Sequence, residues 1–559
     1  MRNKFKKKIV ALIVIIFLGI ALFLRLYRLN LDSPSLYADE TGGHYVKWVE
    51  LSLPAASPLD WICNNFLIRT LTSVWLFGLT PLGARLPAAI YGTILVLCLY
   101  FFAKSITLKD EPKQQIVSLL ALFLGGVLPW GIHISRIGHT GPPVMLSLVC
   151  LHLIIYLRAK KASDYLLSVL PLVAAIYYYS SMLIISPLVL FLVFKKILPS
   201  ISSRLVVLLL PLFLVIAVFF LLAFQQQSVR GIDLAIWRDV NVTADANFSR
   251  GLARLSEPSI FSLFKDPELT NKLFYNYPVS VVNVFFRNYL SFFSPDFLFL
   301  RGDPVLRHST GLVGAFYPFL MPFMIYGAFL FFKSVDQKTR ETFLVWILLS
   351  PIPAAITKDG SGYLLRVLTL MPFLTYLAAF GLVESYKRVK AGIKIPCLLA
   401  TLLVGGYSIY YFLFGYFHIY PALAAKSYEY GFRQLAEFQL ENKNKSMLVV
   451  WDGYYPNVSF RFWQETPAVD YKSFEMERIK IGETTFFKTY GNLSFSLPKS
   501  EEEIVKFIKE NDIAFVALPS GLRSSYKGFG ILNQSLIKII NYPDKSPAFY
   551  LFSVSDYHD

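Results

Sequence analysis

The sequence predicts a polytopic α-helical membrane protein, about eleven transmembrane helices followed by a C-terminal α/β domain outside the membrane. Three observations predict it. The 559 residues are 55% hydrophobic and only 16% charged, against roughly a quarter charged in soluble proteins. The apolar residues arrive in blocks of roughly 16–23, long enough to cross a hydrocarbon core of ~30 Å. After residue 417 these blocks stop, and amphipathic helical stretches alternate with short apolar ones.

The opening "MRNKFKKKIVALIVIIFLGIALFLRLYRL" has a basic start and an apolar run, but no small-residue cleavage site follows. It therefore reads as a retained first helix rather than a signal peptide. Spans fall at 8–25, 84–104, 116–132, 142–158, 164–180, 183–195, 204–224, 312–333, 342–358, 362–383 and 395–417. Lys and Arg gather in alternate connections, "RNKFKKK", "KSITLKDEPK", "RAKK", "KKILPSISSR", "KSVDQKTR" and "ESYKRVKAGIK", whereas "HISRIGHTG", "YSSM" and "TKDGSGY" are poorer in them. By the positive-inside rule the N-terminus is cytoplasmic, and segments 26–83, 225–311 and 418–559 lie on the outer side of the cell membrane.

Within the first outer segment, "ETGGHYVKWVELSL" and "NNFLIRTLTSVWLFGL" mix apolar and polar residues at helical spacing, as interfacial helices do. "LPAASPLDW" breaks them apart. The aromatic-rich part of 225–311 reads as a further interfacial helix or a pair of short membrane segments. In 418–559, "YEYGFRQLAEFQLENK" and "EEEIVKFIKEN" read as helices, and "SMLVVWD", "DIAFVALP" and "AFYLFSV" as strands. Alternating helix and strand implies a small α/β domain.

The net charge of +17 sits mainly in short loops, with no basic stripe among aromatics, so nucleic acid is not a predicted partner. Cys63, Cys98, Cys150 and Cys397 are scattered, without a disulfide framework or zinc spacing.

The chemistry-bearing residues cluster at the outer edge. Asp39 and Glu40 follow the first span; alone, Asp39 would read as a helix N-cap. Arg136 and His139 lie in "HISRIGHTGPP", Arg366 in "TKDGSGYLLRVLTLMP", and Arg301, Asp303, Arg307 and His308 in "SPDFLFLRGDPVLRHSTG". Ionisable groups at a membrane are functional candidates by default. Arginines beside carboxylates suit a site that binds an anion and activates a hydroxyl. Each alone has a structural reading as a snorkelling or capping residue.

"RLYRLNLDSPSLYADETGGHYV" resembles the first-loop signature of membrane glycosyltransferases of the GT-C fold. The likeness is greatest to the protein O-mannosyltransferase family (glycosyltransferase family 39) and its bacterial lipid A aminoarabinose transferase relatives. "LGARLPAAIYGTILVLCLYFFAKSI", "ISRIG", "YLLRVLTLMPFL" and "SPDFLFLRGDPVLRHS" are similar to later segments of that family, in the same order. The resemblance implies an inverting transfer from a polyprenyl-phosphate sugar to an acceptor hydroxyl on a glycan, lipid or protein. It implies Asp39 as base, with Glu40 orienting it, contacting the acceptor or binding a metal. Arg136 and Arg366 would hold the donor phosphate, for which the guanidinium fork is suited. A divalent metal is left open, with His139 and His44 as its candidate ligands. Topology points the same way: nucleotide sugars stay inside, so an outer site needs a lipid-linked donor. The chain has "ASPLDW" where many protein mannosyltransferases carry "H-P-P", and it lacks their inserted carbohydrate-binding domain, which leaves sugar and acceptor open. Two other readings remain. "VVWDGYYPN" is faintly similar to the "W-W-D-Y-G" signature of oligosaccharyltransferases, without its tandem Trp. A lipid or sugar flippase would show equal internal repeats, and none is evident.

Overall fold

The computed structural model describes residues 2–30, 35–52, 68–106, 111–197, 233–255, 272–451, 456–466, 476–489, 492–497, 500–523 and 536–554. Its main helices are α1 (Arg2–Leu26), α2 (Ala38–Ser52), α3 (Pro81–Ser105), α4 (Glu111–Val127), α5 (Gly141–Arg158), α6 (Ala162–Tyr178), α7 (Met182–Ile197), α8 (Val240–Leu255), α9 (Tyr277–Ser291), α10 (Met321–Ser334), α11 (Gln337–Leu349), α12 (Met371–Arg388) and α13 (Lys394–Phe414). Beyond them come α14 (Phe432–Glu441), β1 (Met447–Val450), α15 (Asn457–Trp463), β2 (Glu477–Ile481), β3 (Thr484–Lys488), β4 (Leu493–Leu497), α16 (Glu501–Glu510), β5 (Phe515–Pro519), β6 (Leu536–Asn541) and β7 (Pro547–Ser553).

Helices occupy ten of the eleven predicted spans, and the span at 204–224 lies outside the described residues. Five helical stretches are long and apolar enough to cross a membrane: Lys7–Leu26, Pro81–Ser105, Gly141–Arg158, Leu364–Arg388 and Ala391–Tyr428. Ala162–Tyr178 and Pro318–Ser334 are shorter apolar helices. The chain is a multi-pass membrane protein. Its α13 exposes Leu398, Leu402, Leu403 and Tyr407, an apolar surface that suits lipid rather than water.

The fold separates into two compact units. One comprises Met1–Leu24, Tyr91–Ile134 and Gly141–Phe412. This helical unit packs around aromatic rings: Phe343 meets Phe331 at 4.3 Å and Phe373 at 4.9 Å, and Phe102 meets Phe373 at 5.5 Å. Helices α10 and α12 touch through Gly327 and Gly381, where a Cβ on Gly327 would stand 2.8 Å from the Gly381 Cα. Small residues permit that backbone approach, the usual device for helix pairs in lipid.

The second unit comprises Arg25–Ile90, Ser135–Thr140 and Leu413–Asp559. It holds a seven-stranded sheet of order β2-β3-β4-β1-β5-β7-β6. The central pairs β4–β1 and β1–β5 are parallel and the outer pairs antiparallel. Alternation along β1 explains its two covered faces. Met447 and Val449 join Phe432 and Leu435 of α14 in one core, while Leu448 and Val450 join Ile504 and Phe507 of α16 in the other. The expected helices and strands of this region are present. The meander β2–β4, strand β6 and helix α15 were not expected from the sequence.

In the first loop, the expected helix "ETGGHYVKWVELSL" is α2. Of the helix expected over "NNFLIRTLTSVWLFGL", residues 64–67 lie outside the described residues, and beyond them the helix is interrupted, with Arg69–Leu71 and Val74–Phe77 as separate pieces. Thr72 is extended, with φ −144°, and Ser73 turns its hydroxyl onto the Gly83 carbonyl at 2.8 Å, so the helix cannot continue through them. The "LPAASPLDW" break lies outside the described residues. The aromatic-rich outer loop contains α9, capped by Asn276, whose side chain accepts from the Val279 amide at 2.9 Å.

Candidate functional site

The residues singled out from the sequence fall into two groups, one in each unit. In the sheet-bearing unit, α2 starts at Ala38, so Asp39 and Glu40 share its first turn. Asp39 is therefore inside the helix rather than its N-cap. Its carboxylate is exposed, and it forms no ion pair or hydrogen bond among the described residues. Adjacent helical side chains diverge by ~100°, and Glu40 points the other way, into the unit.

Glu40 is 1% exposed and held on every side. Arg85, near the start of α3, grips it with both forks: Nε donates to Oε1 at 2.9 Å and Nη2 to Oε2 at 3.1 Å. The Gly138 amide donates to Oε1 at 2.5 Å, and the Tyr37 amide to Oε2 at 3.3 Å. The Tyr37 contact is half of a capping box and fixes how the chain enters α2. Nη2 of Arg85 also ties the chain before the helix, donating to the Ser35 carbonyl at 2.9 Å.

His44, one turn along α2, completes the arrangement. Its Nε2 faces the Gly138 carbonyl at 2.7 Å, and its Nδ1 faces the Thr72 hydroxyl at 2.8 Å. A carbonyl can only accept, so the proton is on Nε2 and Nδ1 accepts from Thr72. Burial, reinforced by the charge of Lys47, pushes the imidazole pKa down to about 3 and keeps it neutral. The Gly138 peptide is thus clamped by its N–H on Glu40 and its C=O on His44. A side chain there would crowd the clamp, since a Cβ would stand 3.0 Å from Glu40 Oε1 and 3.2 Å from His44 Nε2. Both His44 nitrogens are engaged within the protein. Among the described residues no three His, Cys, Asp or Glu side chains converge as a metal-ligand set.

Arg136 is 5% exposed. Its Nη1 donates to the carbonyls of Arg25 at 3.0 Å and Tyr27 at 2.9 Å. Its guanidinium lies over the rings of Phe417 and Tyr416, 5.1 and 5.4 Å from their centroids. Arg136 and Arg85 together line a small recess completed by Leu29, Ile137, Tyr416, Tyr420 and Tyr428. His139, half-buried, follows in the same 135–140 segment.

The second group belongs to the helical unit. Asp303 is 1% exposed and accepts from three donors: the Val305 amide at 2.8 Å, His308 Nδ1 at 3.0 Å and the Leu364 amide at 2.7 Å. It staples the 301–308 loop to the short helix Leu364–Val367. Gly302 makes the preceding turn possible, with φ +82°. His308 packs its ring 4.4 Å from that of Tyr363. Arg366 stacks on Tyr363 at 4.0 Å and donates to the Thr357 hydroxyl at 2.5 Å. The backbone carbonyl of Arg307 accepts from His133 Nε2 at 3.0 Å. Arg301 is exposed and pairs with Asp296 at 3.5 Å.

Two participants escaped sequence reasoning, Arg85 and the structural duty of His44. A signal existed for Arg85, a charge a few residues inside an apolar block.

No family model and no curated protein matches this chain. Among solved structures it is similar to the oligosaccharyltransferase of Archaeoglobus fulgidus in complex with zinc and sulfate, at 12% identity and a TM-score of 0.45, covering 96% of this chain and 72% of that one. It is also similar to ArnT of Cupriavidus metallidurans. Bound to undecaprenyl phosphate, that protein gives 11% identity and a TM-score of 0.41, and in the apo state 11% and 0.38, covering 97% of both chains each time. These neighbours are GT-C fold enzymes.

Proposed function

We propose that the chain is an inverting glycosyltransferase, moving a sugar from a polyprenyl-phosphate donor to an acceptor hydroxyl at the outer face of the membrane. One observation carries the reading: an exposed Asp39, without a hydrogen bond or ion pair among the described residues, beside a Glu40 locked in place, in the same unit as a recess walled by two guanidinium groups and three tyrosines. The acceptor O–H gives its proton to the Asp39 carboxylate as its oxygen attacks C1 of the sugar. The C1–O bond to the phosphate breaks, and the polyprenyl phosphate leaves with the electron pair. Attack opposite the leaving group inverts the anomeric centre. Arg136, on the wall of this recess, is the candidate to hold the departing phosphate, whereas Arg85 is committed to Glu40. Glu40 acts as a positioning residue that fixes the first turn of α2. The loops bearing Lys and Arg support a cytoplasmic N-terminus, which puts Asp39 outside. Arg366, with the 301–308 loop, is a further candidate for holding donor or acceptor.

The test is transfer of label from polyprenyl-phosphate sugars in membranes carrying the wild-type chain or Asp39→Asn. Loss of a proton acceptor should lower the rate by ~10²–10⁴-fold while expression is unchanged. Equal transfer by both chains would remove Asp39 from the mechanism.

A further inference from the structure

The helical unit has a second polar end, at the far side of α7. Tyr179, just before α7, lies within electrostatic reach of Arg366 and Asp303. Lys195 and Lys196 stand at the other end of the helix, about 20 Å away at ~1.5 Å per residue. There a cavity of about 440 Å³ opens between α5, α7 and α11, within the range of roughly 300–1,000 Å³ typical of ligand pockets.

Its lining changes character with depth along all three helices. At the rim are Lys195 and Lys196 from the end of α7, and Gln337 and Glu341 from the start of α11. Deeper, the walls are Val189 and Val193 of α7, and Val345 and Trp346 of α11. His152 of α5 stands against Trp346, its ring 6.1 Å away, and its Nδ1 donates to the Ser168 carbonyl at 2.7 Å. Among the described residues the rim is net positive. Glu341 accepts from Gln337 at 2.7 Å and pairs with Lys196 at 3.3 Å, so its charge is matched once, and Lys195 is exposed beside the pair. Lys338 adds nothing to the rim, because it donates to the Leu157 and Ala159 carbonyls and lies over Tyr156 and Tyr165.

We propose that this cavity binds an anionic glycerophospholipid of the adjacent leaflet, its phosphate on Lys195 and Lys196 and the upper part of one chain along the valine wall. A soluble phosphate would use the rim but not the apolar depth. A zwitterionic lipid would use the depth but gain little from the net positive charge of the rim. Basic pockets between helices at a membrane edge recognise anionic headgroups in this way. The site is independent of the transfer reaction and lies at the end of α7 away from the Arg366 group.

The experiment places the full chain in phosphatidylcholine nanodiscs carrying trace photoreactive phosphatidylglycerol or photoreactive phosphatidylcholine, and maps the cross-links by mass spectrometry. Phosphatidylglycerol should label the peptides carrying Val193 and Thr342 about fivefold more than phosphatidylcholine does. Lys195→Gln with Lys196→Gln should bring that ratio to about one. Glu341→Gln, which removes the rim carboxylate, should raise it, giving a gain that misfolding cannot imitate. Val193→Trp should lower capture of both lipids by filling the cavity. Equal labelling by the two lipids in the wild type, or a ratio indifferent to the lysines, would mean annular contact only and overturn the proposal. So would preferential capture of a photoreactive polyprenyl phosphate, or displacement of the lipid by inorganic phosphate.

Discussion

Asp39 and Glu40 are neighbours in sequence with opposite surroundings, and the difference decides what each can do. Glu40 has no lone pair to offer a substrate, because Arg85, Gly138 and Tyr37 hold both oxygens. Replacing Arg85 with Met would leave a buried carboxylate without its counter-ion. Removing one partner of a buried pair costs ~3–5 kcal/mol, so Arg85→Met should lower the melting temperature of the purified chain sharply. An unchanged melting temperature would mean the pair is dispensable to the fold. His44 gives a pH signature. Its imidazole takes a proton near pH 6.5 when unfolded but only near pH 3 when folded, with Lys47, His139 and Arg85 all opposing the charge. Below about 6.5 the unfolded chain binds the extra proton, so stability falls with pH, by up to ~1.4 kcal/mol per unit. Gln at this position can donate to Gly138 and accept from Thr72 without titrating. His44→Gln should therefore flatten the fall in melting temperature between pH 7 and pH 5, and an identical slope would place the titration elsewhere. The resemblance gave Asp39 and Glu40 different roles, but nothing in the local sequence said which of the two would be buried. Which carboxylate is buried depends on Arg85 and Gly138, 45 and 98 residues away, and no local pattern encodes such contacts.

Local pattern was informative for whole elements. The apolar blocks among the described residues are helices because their length and hydrophobicity leave few alternatives in lipid. Strands β1, β5 and β7 were legible because they are buried and made almost wholly of apolar residues. The meander β2–β4 was not: "ERIKI" is a charged, exposed edge strand, while the buried "TTFFK" and "LSFSL" carry threonines and serines where a continuous apolar run would have marked them. Its turn is fixed from outside the segment: the Glu503 carboxylate of α16 accepts from the Glu483 and Thr484 amides at 2.8 and 2.9 Å. Helix pairing was likewise invisible in the sequence. Gly327 and Gly381 are ordinary glycines until α10 and α12 meet on them, where a Cβ on Gly381 would collide with the Phe323 carbonyl oxygen. Gly381→Ala should cost at least ~1–3 kcal/mol through overpacking, read as a lower melting temperature. Gly392→Ala is the control, since nothing lies within 4 Å of its added Cβ. Equal melting temperatures for the two variants would mean that α10 and α12 separate without penalty.

At the scale of the molecule, the sequence suggests a division at residue 418, whereas the sheet-bearing unit also takes in Arg25–Ile90 and Ser135–Thr140. The joining contacts are specific. Thr41 of α2 meets the Ser459 hydroxyl of α15 at 2.8 Å, and the Tyr45 hydroxyl donates to the Thr466 carbonyl at 3.0 Å. Phe462 of α15 completes an apolar cluster with Leu36, Tyr45, Val49, Val74, Leu79 and Ala84. The first turn of α2, with Asp39 on it, is thus supported by residues more than four hundred positions later in the chain. A chain truncated after Ile419 keeps every predicted span, yet it should lose that support. Trypsin gives a direct reading, because Arg85 is 2% exposed in the intact fold. In detergent, the full chain should resist cleavage after Arg85 while the truncated chain is cut there, and transfer from a polyprenyl-phosphate sugar should fall with it. Protection of Arg85 in the truncated chain, with transfer retained, would instead mean that 25–90 folds on its own and that the sheet serves only as a cover. The contacts of Tyr45 and Phe462 favour the first outcome, since their loss strips one wall from the only apolar cluster among the described residues that packs directly under α2.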